Sequence, residues 1–329
     1  MNVSRLRSSI PKLVVLGTTL LFLWSMTTSP AWAKVGTITE FPLPAPSSAP
    51  FGITLGPDGK VWFTESSGNK IGRITTSGAI TQFPVPTTPS EPGGITTGPD
   101  GNLWFTELTG NNIGRITTNG SITEFPLPTG RSLPQDIAAG PDGNLWFTEF
   151  FGNNIGRITT SGVITQFPIP TNFSLPQDIT AGSDGNLWFT ESQGNKIGRI
   201  TTSGIITEFP IPTSGSLPQG ITAGSDGNLW FTELDGNNIG RITTSGVITQ
   251  FPLPTGGSLP QSIAAGPDRN LWFTESHGNN IGRITTSGII TQFPVPTSGS
   301  LPFGITSGRG QKVWFTELVG NNIGRIAAR

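Results

Sequence analysis

Carboxylate side chains that could do chemistry lie in and beside a repeated Pro-x-x-Ile motif. Asp136 and Asp178 stand at the same place in two successive copies, and Glu91 precedes the proline of an earlier copy. Two neighbouring acids can act as a general acid and a general base. The three groups are also oxygen donors, which would select Mg²⁺ or Ca²⁺ rather than zinc. The alternative is that all three are solvated carboxylates.

Cysteine and histidine, which serve many other catalytic mechanisms, are nearly absent from the chain. The chain contains no cysteine, which excludes disulfides, thiolate nucleophiles and sulfur-ligated zinc. His277 is the single histidine, in a Ser-His-Gly-Asn turn whose equivalents in other copies vary freely. We expect it to be an exposed turn residue, because a triad or histidine-rich metal site needs further partners.

A repeat of 42 residues must position these groups. The core Trp-Phe-Thr-Glu recurs at this fixed spacing without any insertion. It begins at Trp62, Trp104, Trp146, Trp188, Trp230, Trp272 and Trp314. A period of this size is typical of stacked units that cannot bury their apolar faces alone.

Each repeat contains four short strand patterns separated by turn signals. In the second copy the strands are predicted at 94–97, 103–107, 113–117 and 122–125, with Asp-Gly, Gly-Asn and Asn-Gly turns between them. Pro126 then ends the pairing, because proline has no N–H to donate. The sequence therefore predicts an all-β, seven-bladed β-propeller with four antiparallel strands per blade, occupying 34–329 as a single domain.

The two ends of the chain predict how the ring closes. The last repeat stops after its third strand, whereas the segment from Thr37 to Phe41 matches a fourth strand without its first three. We therefore expect the N-terminal strand to complete the last blade, which leaves no open edge in the ring.

Residues present in every copy are interpreted as structural. We expect the tryptophans to pack between blades. We also expect an ion pair between the Glu after each Trp-Phe-Thr and the Arg of each third strand. The Glu residues are Glu65, Glu107, Glu149, Glu191, Glu233, Glu275 and Glu317. The Arg residues are Arg73, Arg115, Arg157, Arg199, Arg241, Arg283 and Arg325.

Positions where the copies differ are the better candidates for function. The first strand of each blade should line the central channel, and its first variable position forms an arc around the mouth. Around the ring this position reads Phe51, Gly93, Gln135, Gln177, Gln219, Gln261 and Phe303. With Glu91 at the rim, these side chains predict a site for a small-molecule or envelope ligand.

The N-terminus reads as a secretory signal peptide over 1–33. Arg5, Arg7 and Lys12 precede a short apolar run, and Ala31-Trp32-Ala33 is a cleavage signal. The mature chain would be a secreted, periplasmic or cell-envelope monomer without a membrane span. Losing three positive charges takes the formal net charge from −1 to −4, so nucleic acid is not an expected partner.

The repeated units resemble the virginiamycin B lyase (streptogramin lyase) family of seven-bladed propellers. They are Gly-Pro-Asp-Gly-Asn-Leu-Trp-Phe-Thr-Glu, Asn-Asn-Ile-Gly-Arg-Ile-Thr-Thr-Ser-Gly and Ile-Thr-Glu-Phe-Pro-Leu-Pro. The resemblance implies a carbon–oxygen lyase that opens the ester ring of streptogramin B antibiotics with a histidine base beside Mg²⁺. It places the family's Pro-His-x-Ile histidines at Gln261 and Phe303, and its late carboxylate at Glu317.

Three functions remain open from the sequence. The first is an exported ligand- or partner-binding propeller without the family's histidines. The second is a Mg²⁺-dependent lyase, or a related hydrolase, that uses the rim carboxylates Glu91, Asp136 or Asp178. The third is a structural or adhesive surface protein.

Overall fold

The computed structural model describes residues 34–329, and the predicted signal peptide lies outside this range. Between residues 34 and 329 the secondary structure is β-strand, and no helix there could cross a membrane. The strands form seven four-stranded antiparallel sheets whose neighbours pack as blades of a ring. The predicted all-β, seven-bladed β-propeller is confirmed.

The strand bounds follow the repeat. β1 (Ile38–Pro42) comes first in the chain. Blade one contains β2 (Pro50–Leu55), β3 (Val61–Glu65), β4 (Lys70–Ile74) and β5 (Ile80–Pro84). Blade two contains β6 (Pro92–Thr97), β7 (Leu103–Glu107), β8 (Asn112–Ile116) and β9 (Ile122–Pro126). Blade three contains β10 (Pro134–Ala139), β11 (Leu145–Glu149), β12 (Asn154–Ile158) and β13 (Ile164–Pro168).

The remaining blades repeat the pattern. Blade four contains β14 (Pro176–Ala181), β15 (Leu187–Glu191), β16 (Lys196–Ile200) and β17 (Ile206–Pro210). Blade five contains β18 (Pro218–Ala223), β19 (Leu229–Glu233), β20 (Asn238–Ile242) and β21 (Ile248–Pro252). Blade six contains β22 (Pro260–Ala265), β23 (Leu271–Glu275), β24 (Asn280–Ile284) and β25 (Ile290–Pro294). Blade seven contains β26 (Pro302–Gly308), β27 (Lys312–Glu317) and β28 (Asn322–Ala327).

Ring closure occurs as the chain ends predict. β1 pairs antiparallel with β28 and becomes the outer strand of blade seven, with Ile38 opposite Ile326 and Phe41 opposite Ile323. This strand begins and ends one residue later than the predicted segment. Phe41 stacks on Trp314 with ring centroids 5.7 Å apart, as the equivalent Phe and Trp do within the other blades.

The apolar core lies between blades. Trp104 of β7 packs against Leu145 and Phe147 of β11 in the next blade, and all three are buried. Its indole N–H donates to Asp100 at 3.0 Å, so the turn aspartate also fixes the tryptophan. Side chains alternate between the two faces of a strand, so each blade takes part in two interfaces, one on each face.

The predicted Glu–Arg ion pairs are wrong. In blade two Trp104 is opposite Arg115 and Glu107 is opposite Asn112. Glu107 is three residues from Trp104, so it points to the face opposite Arg115. The Arg115 guanidinium lies 5.6 Å from the Trp104 and Phe125 ring centroids and donates to the Thr160 carbonyl of blade three at 3.2 Å.

The buried glutamates instead meet a side chain from the outer strand of their own blade. In blade one, Gln82 of β5 donates its amide to both Glu65 carboxylate oxygens at 2.7 and 2.9 Å. In blades two, four and seven the position of Gln82 holds a second glutamate. The Glu of the Trp-Phe-Thr-Glu core then faces another carboxyl group. The facing residues are Glu124, Glu208 and Glu40.

Candidate functional site

The inner strands of all seven blades surround a central channel cavity of about 270 Å³. Each inner strand changes register between its proline and its isoleucine, for example between Pro134 and Ile137 of β10. This bulge turns the two variable residues toward the channel. Six of the seven predicted mouth positions line the cavity: Phe51, Gln135, Gln177, Gln219, Gln261 and Phe303. Gly93 does not line it, although the neighbouring Gly94 does.

A threonine in each blade holds this wall together, a role that the sequence alone did not predict. The Thr148 hydroxyl accepts from the Asp136 N–H at 3.1 Å and donates to the Gln177 carbonyl of the next blade at 2.8 Å. The last bond of the series joins Thr316 to the Phe51 carbonyl at 2.8 Å across the closure. The recurrence of Thr in every Trp-Phe-Thr-Glu core was the available signal.

One side of the cavity is aromatic. The Phe51 and Phe303 rings lie with centroids 4.2 Å apart and planes inclined by 36°. They come from blades one and seven, which closure makes neighbours. The pair gives the channel an apolar face against which an apolar part of a ligand can pack.

The opposite side carries an acid pair, Asp136 and Asp178. Both carboxyl groups accept from the Ile179 N–H, at 3.4 Å for Asp136 and 2.7 Å for Asp178, and Asp178 also accepts from the Ile221 N–H at 2.8 Å. Gly94 leaves the space for Asp136, because a Cβ at Gly94 would lie 2.2 Å from its Oδ1. Two carboxylates that meet at one N–H group repel each other, so we expect the pair to hold one proton at neutral pH.

Burial in the channel wall raises the pKa of both members of the pair. Each carboxyl keeps partial exposure to the channel, but protein surrounds it and disfavours the charged form. The negative charge of Asp136 raises the pKa of Asp178 further, well above its usual value. A pair with one proton can donate to one ligand group and accept from another.

Amide side chains complete the polar part of the cavity. Gln219 is held by hydrogen bonds to Ser192 and to the Leu217 carbonyl at 3.0 and 3.3 Å. The other three glutamines line the cavity without such anchoring among residues 34–329. Their donors and acceptors are therefore available to a ligand.

Glu91 and Glu317 lie away from the acid pair. Glu91 is exposed on the loop before β6 and does not line the cavity. Glu317 is fully buried inside blade seven, where it accepts from Asn322 at 3.0 Å and faces Glu40. The structure therefore brings together only two of the four carboxylates that the sequence suggested. His277 is exposed in its turn, as expected.

A resident Mg²⁺ does not fit this donor set. Within residues 34–329 no group of three or more Asp, Glu or His side chains is placed to hold a metal ion. The two acids that do meet already accept backbone N–H groups of Ile179 and Ile221. Magnesium requires ionised oxygen ligands in a near-octahedral arrangement.

The comparisons with known proteins agree with one another. The sequence model of the Virginiamycin B lyase family matches residues 30–192 and 171–329. A virginiamycin B lyase structure from Staphylococcus aureus is 47% identical, with a TM-score of 0.85, covering 88% of this chain and 99% of that one. A structure of a catalytically inactive variant of the lyase from this species, with quinupristin, is 46% identical, with the same TM-score and coverage.

A curated relative matches over the length of one repeat. The virginiamycin B lyase of Bacillus licheniformis is 51% identical over 41 residues, which is 12% of this chain and 14% of the relative. The chain thus spans a small share of the curated relatives it matches, whereas the solved structures align along nearly their whole length.

Proposed function

Because the chain belongs to the virginiamycin B lyase family, we propose that it is a propeller that binds a ligand at its channel mouth without performing the lyase reaction. The observation that carries this proposal is the pair of residues at the positions that resemblance assigns to the family's histidines, Gln261 and Phe303. Neither an amide nor a phenyl ring accepts a proton at neutral pH. The solved relative with quinupristin is made inactive by replacing one histidine with alanine.

The channel walls define the ligand. Phe51 and Phe303 offer an apolar face, whereas the acid pair and the glutamines offer both donors and acceptors. A molecule with one apolar side and several uncharged polar groups matches this division. The proposal includes export through the predicted signal and a monomeric state, with no nucleic acid partner because the mature chain is acidic.

The lyase step can be tested directly. We expect the purified protein to leave quinupristin intact during incubation with Mg²⁺ at neutral pH, because the channel lacks a neutral base of the histidine type. The measurement is the yield of linear product by mass spectrometry, with the Staphylococcus aureus lyase as positive control. Rapid turnover by the wild-type protein would overturn the proposal.

The binding role needs its own measurement. A ligand found by screening should raise the melting temperature of the wild-type protein, because it binds only the folded state. We expect Phe303→Ala and Gln177→Ala to remove that shift. Val319→Ser, which changes an exposed turn residue outside the channel, should keep it.

A second candidate rests on the acid pair itself. One protonated and one ionised carboxyl, side by side in a cavity, suit a lyase or hydrolase acting on a cyclic ester. In that case Asp136→Asn and Asp178→Asn would each abolish turnover of a substrate found among lactones and depsipeptides. Their melting temperatures at neutral pH would not fall, since each change removes a buried ionisable group.

A further inference from the structure

A second cleft, which shares no lining residue with the channel cavity, lies at the turns of blades three and four. Its volume is about 530 Å³. Phe150 and Phe151 enter it from the turn between β11 and β12, and Phe173 enters it from the loop before β14. We name this feature the aromatic cleft.

The rings of the aromatic cleft are presented to solvent. Phe151 is 63% exposed and Phe173 is 81% exposed, which are high values for residues of this type. The Phe150 and Phe151 rings lie 4.9 Å apart and are tilted by 43°. Packing within the blade therefore does not account for Phe151 and Phe173.

The backbone conformation at Phe173 does not favour a phenyl side chain either. Its φ is 52°, a left-handed conformation that is unfavourable for a bulky residue. The same position in the three following repeats is glycine, namely Gly215, Gly257 and Gly299, with φ of 67°, 69° and 64°. The chain thus keeps an exposed phenyl ring at a position where glycine would be less strained, so the loop conformation does not account for the ring.

The cleft belongs to one part of the ring. The positions equivalent to Phe151 hold unrelated side chains: Ser67, Thr109, Gln193, Asp235, His277 and Val319. The repeat itself therefore does not generate the aromatic cluster.

The polar side chains around the phenyl rings indicate which class of ligand the cleft can bind. Asn172 and Gln193 are exposed at the cleft, and no hydrogen bond within residues 34–329 engages their side-chain amides. None of the lining residues is ionisable, so the cleft offers neither the cations that nucleic acid or phosphate needs nor an anion for a basic peptide. A wholly apolar partner would bury these amides without hydrogen-bond partners.

We infer that the aromatic cleft binds a neutral oligosaccharide. The C–H face of a pyranose ring carries partial positive charge and packs on the negative face of an aromatic ring, here Phe173 or Phe151. The hydroxyl groups around that ring both donate and accept, as do the Asn172 and Gln193 amides. This inference does not depend on the channel ligand.

Affinity electrophoresis tests the inference. The gels contain neutral polysaccharides of glucose, mannose, xylose or N-acetylglucosamine. We expect at least one to retard the wild-type protein, with at least a tenfold loss of affinity in Phe173→Gly and in Phe151→Ser. Isothermal titration with the matching oligosaccharide should give the same ratio. Asp178→Asn, in the channel, should bind like the wild type.

Arg131→Gly is the matched control. Arg131 occupies the loop position of Phe173 in the preceding repeat, is also exposed and has a φ of 60°. Both glycine variants relieve the same backbone strain, so neither should lower the melting temperature, but only Phe173→Gly should lose binding. The inference fails if no polysaccharide retards the wild type, or if Phe173→Gly binds normally. It also fails if sedimentation shows self-association that Phe173→Gly abolishes, because the cleft would then join two copies.

Discussion

Deletion of residues 34–44 is expected to lower the melting temperature by more than about 10 °C. The deletion removes β1, including Phe41, which stacks on Trp314, and Leu43, which is buried against blade one. Losing a large apolar side chain from a core costs about 2–5 kcal/mol. For a domain of this size each kcal/mol moves the melting temperature by about 2 °C.

The effect should exceed the loss of those two side chains, because the segment joins the ends of the ring. The Leu43 N–H donates to the Asn321 carbonyl at 3.0 Å, and the Ala327 N–H donates to the Thr37 carbonyl at 3.0 Å. Glu40 accepts from the Thr297 N–H and hydroxyl at 2.9 and 3.0 Å. Without β1, the polar edge of β28 also loses its pairing partner.

Two controls separate closure from general truncation. Phe41→Ala and Phe125→Ala remove equivalent rings from blades seven and two, and only the first acts on the strand that closes the ring. We expect similar losses from both and a much larger loss from the deletion. A peptide of residues 34–44 should bind the truncated protein as an added strand and raise its melting temperature. A truncated protein with the same melting temperature as the wild type would contradict the closure of the ring by β1.

The melting temperature should also fall as the pH rises from about 5 to about 8, on the order of 5 °C or more. Burial, opposed by the Asn112 hydrogen bond, raises the pKa of Glu107 to about 7. Burial together with the charge of Glu208 raises the pKa of Glu191 to about 8. Burial, with Glu40 nearby, raises the pKa of Glu317 to about 7.

Orphaned atoms support the same conclusion independently of the pKa values. Several buried carboxyl oxygens among residues 34–329 have no hydrogen-bond donor. They include Oε1 of Glu107, Oε1 of Glu317 and both oxygens of Glu191. A shared proton between the two carboxyls of each pair would supply the missing donor. Blade one needs none, because the Gln82 amide supplies two donor contacts to Glu65.

The sign of the pH effect comes from counting protons. Between the ordinary glutamate pKa and the raised one, the folded protein holds a proton that the unfolded chain has released. The stabilisation is complete below the unfolded value of 4.5 and is lost as the pH rises through about 7 to 8. Each pKa unit corresponds to about 1.4 kcal/mol for each group.

Replacing the facing glutamates tests this account. The triple variant Glu40→Gln, Glu124→Gln and Glu208→Gln copies the arrangement of blade one, so its melting temperature should depend less on pH and be higher at pH 8. Gln82→Glu creates a fourth carboxyl pair and should make the dependence steeper. Asp136 and Asp178 contribute in the same direction, so a shallow slope remains in the triple variant. If the melting temperatures of the wild type and the triple variant depended equally on pH, the explanation would be wrong.

The sequence alone determined the number of blades, their hairpins and the closure of the ring. Fixed spacing of Trp62 through Trp314 specifies seven equal units, Asp-Gly and Asn-Gly turns specify the hairpins, and the unmatched Thr37–Phe41 segment specifies the closure. Closure then places Phe51 beside Phe303. These features are local or periodic, so they can be read from one strand at a time.

Tertiary structure decided the contacts between strands and between blades. Cross-strand register, which a single repeat does not reveal, put Arg115 over Trp104 and left Glu107 facing Glu124. Packing of one blade on the next joined Thr148 to the Gln177 carbonyl and brought the Asp136 and Asp178 carboxyls to the same Ile179 N–H. The Thr148–Gln177 bond joins residues 29 positions apart. Only the ring geometry brings such residues within hydrogen-bond distance, because a one-residue slip in register would turn each side chain to the other face.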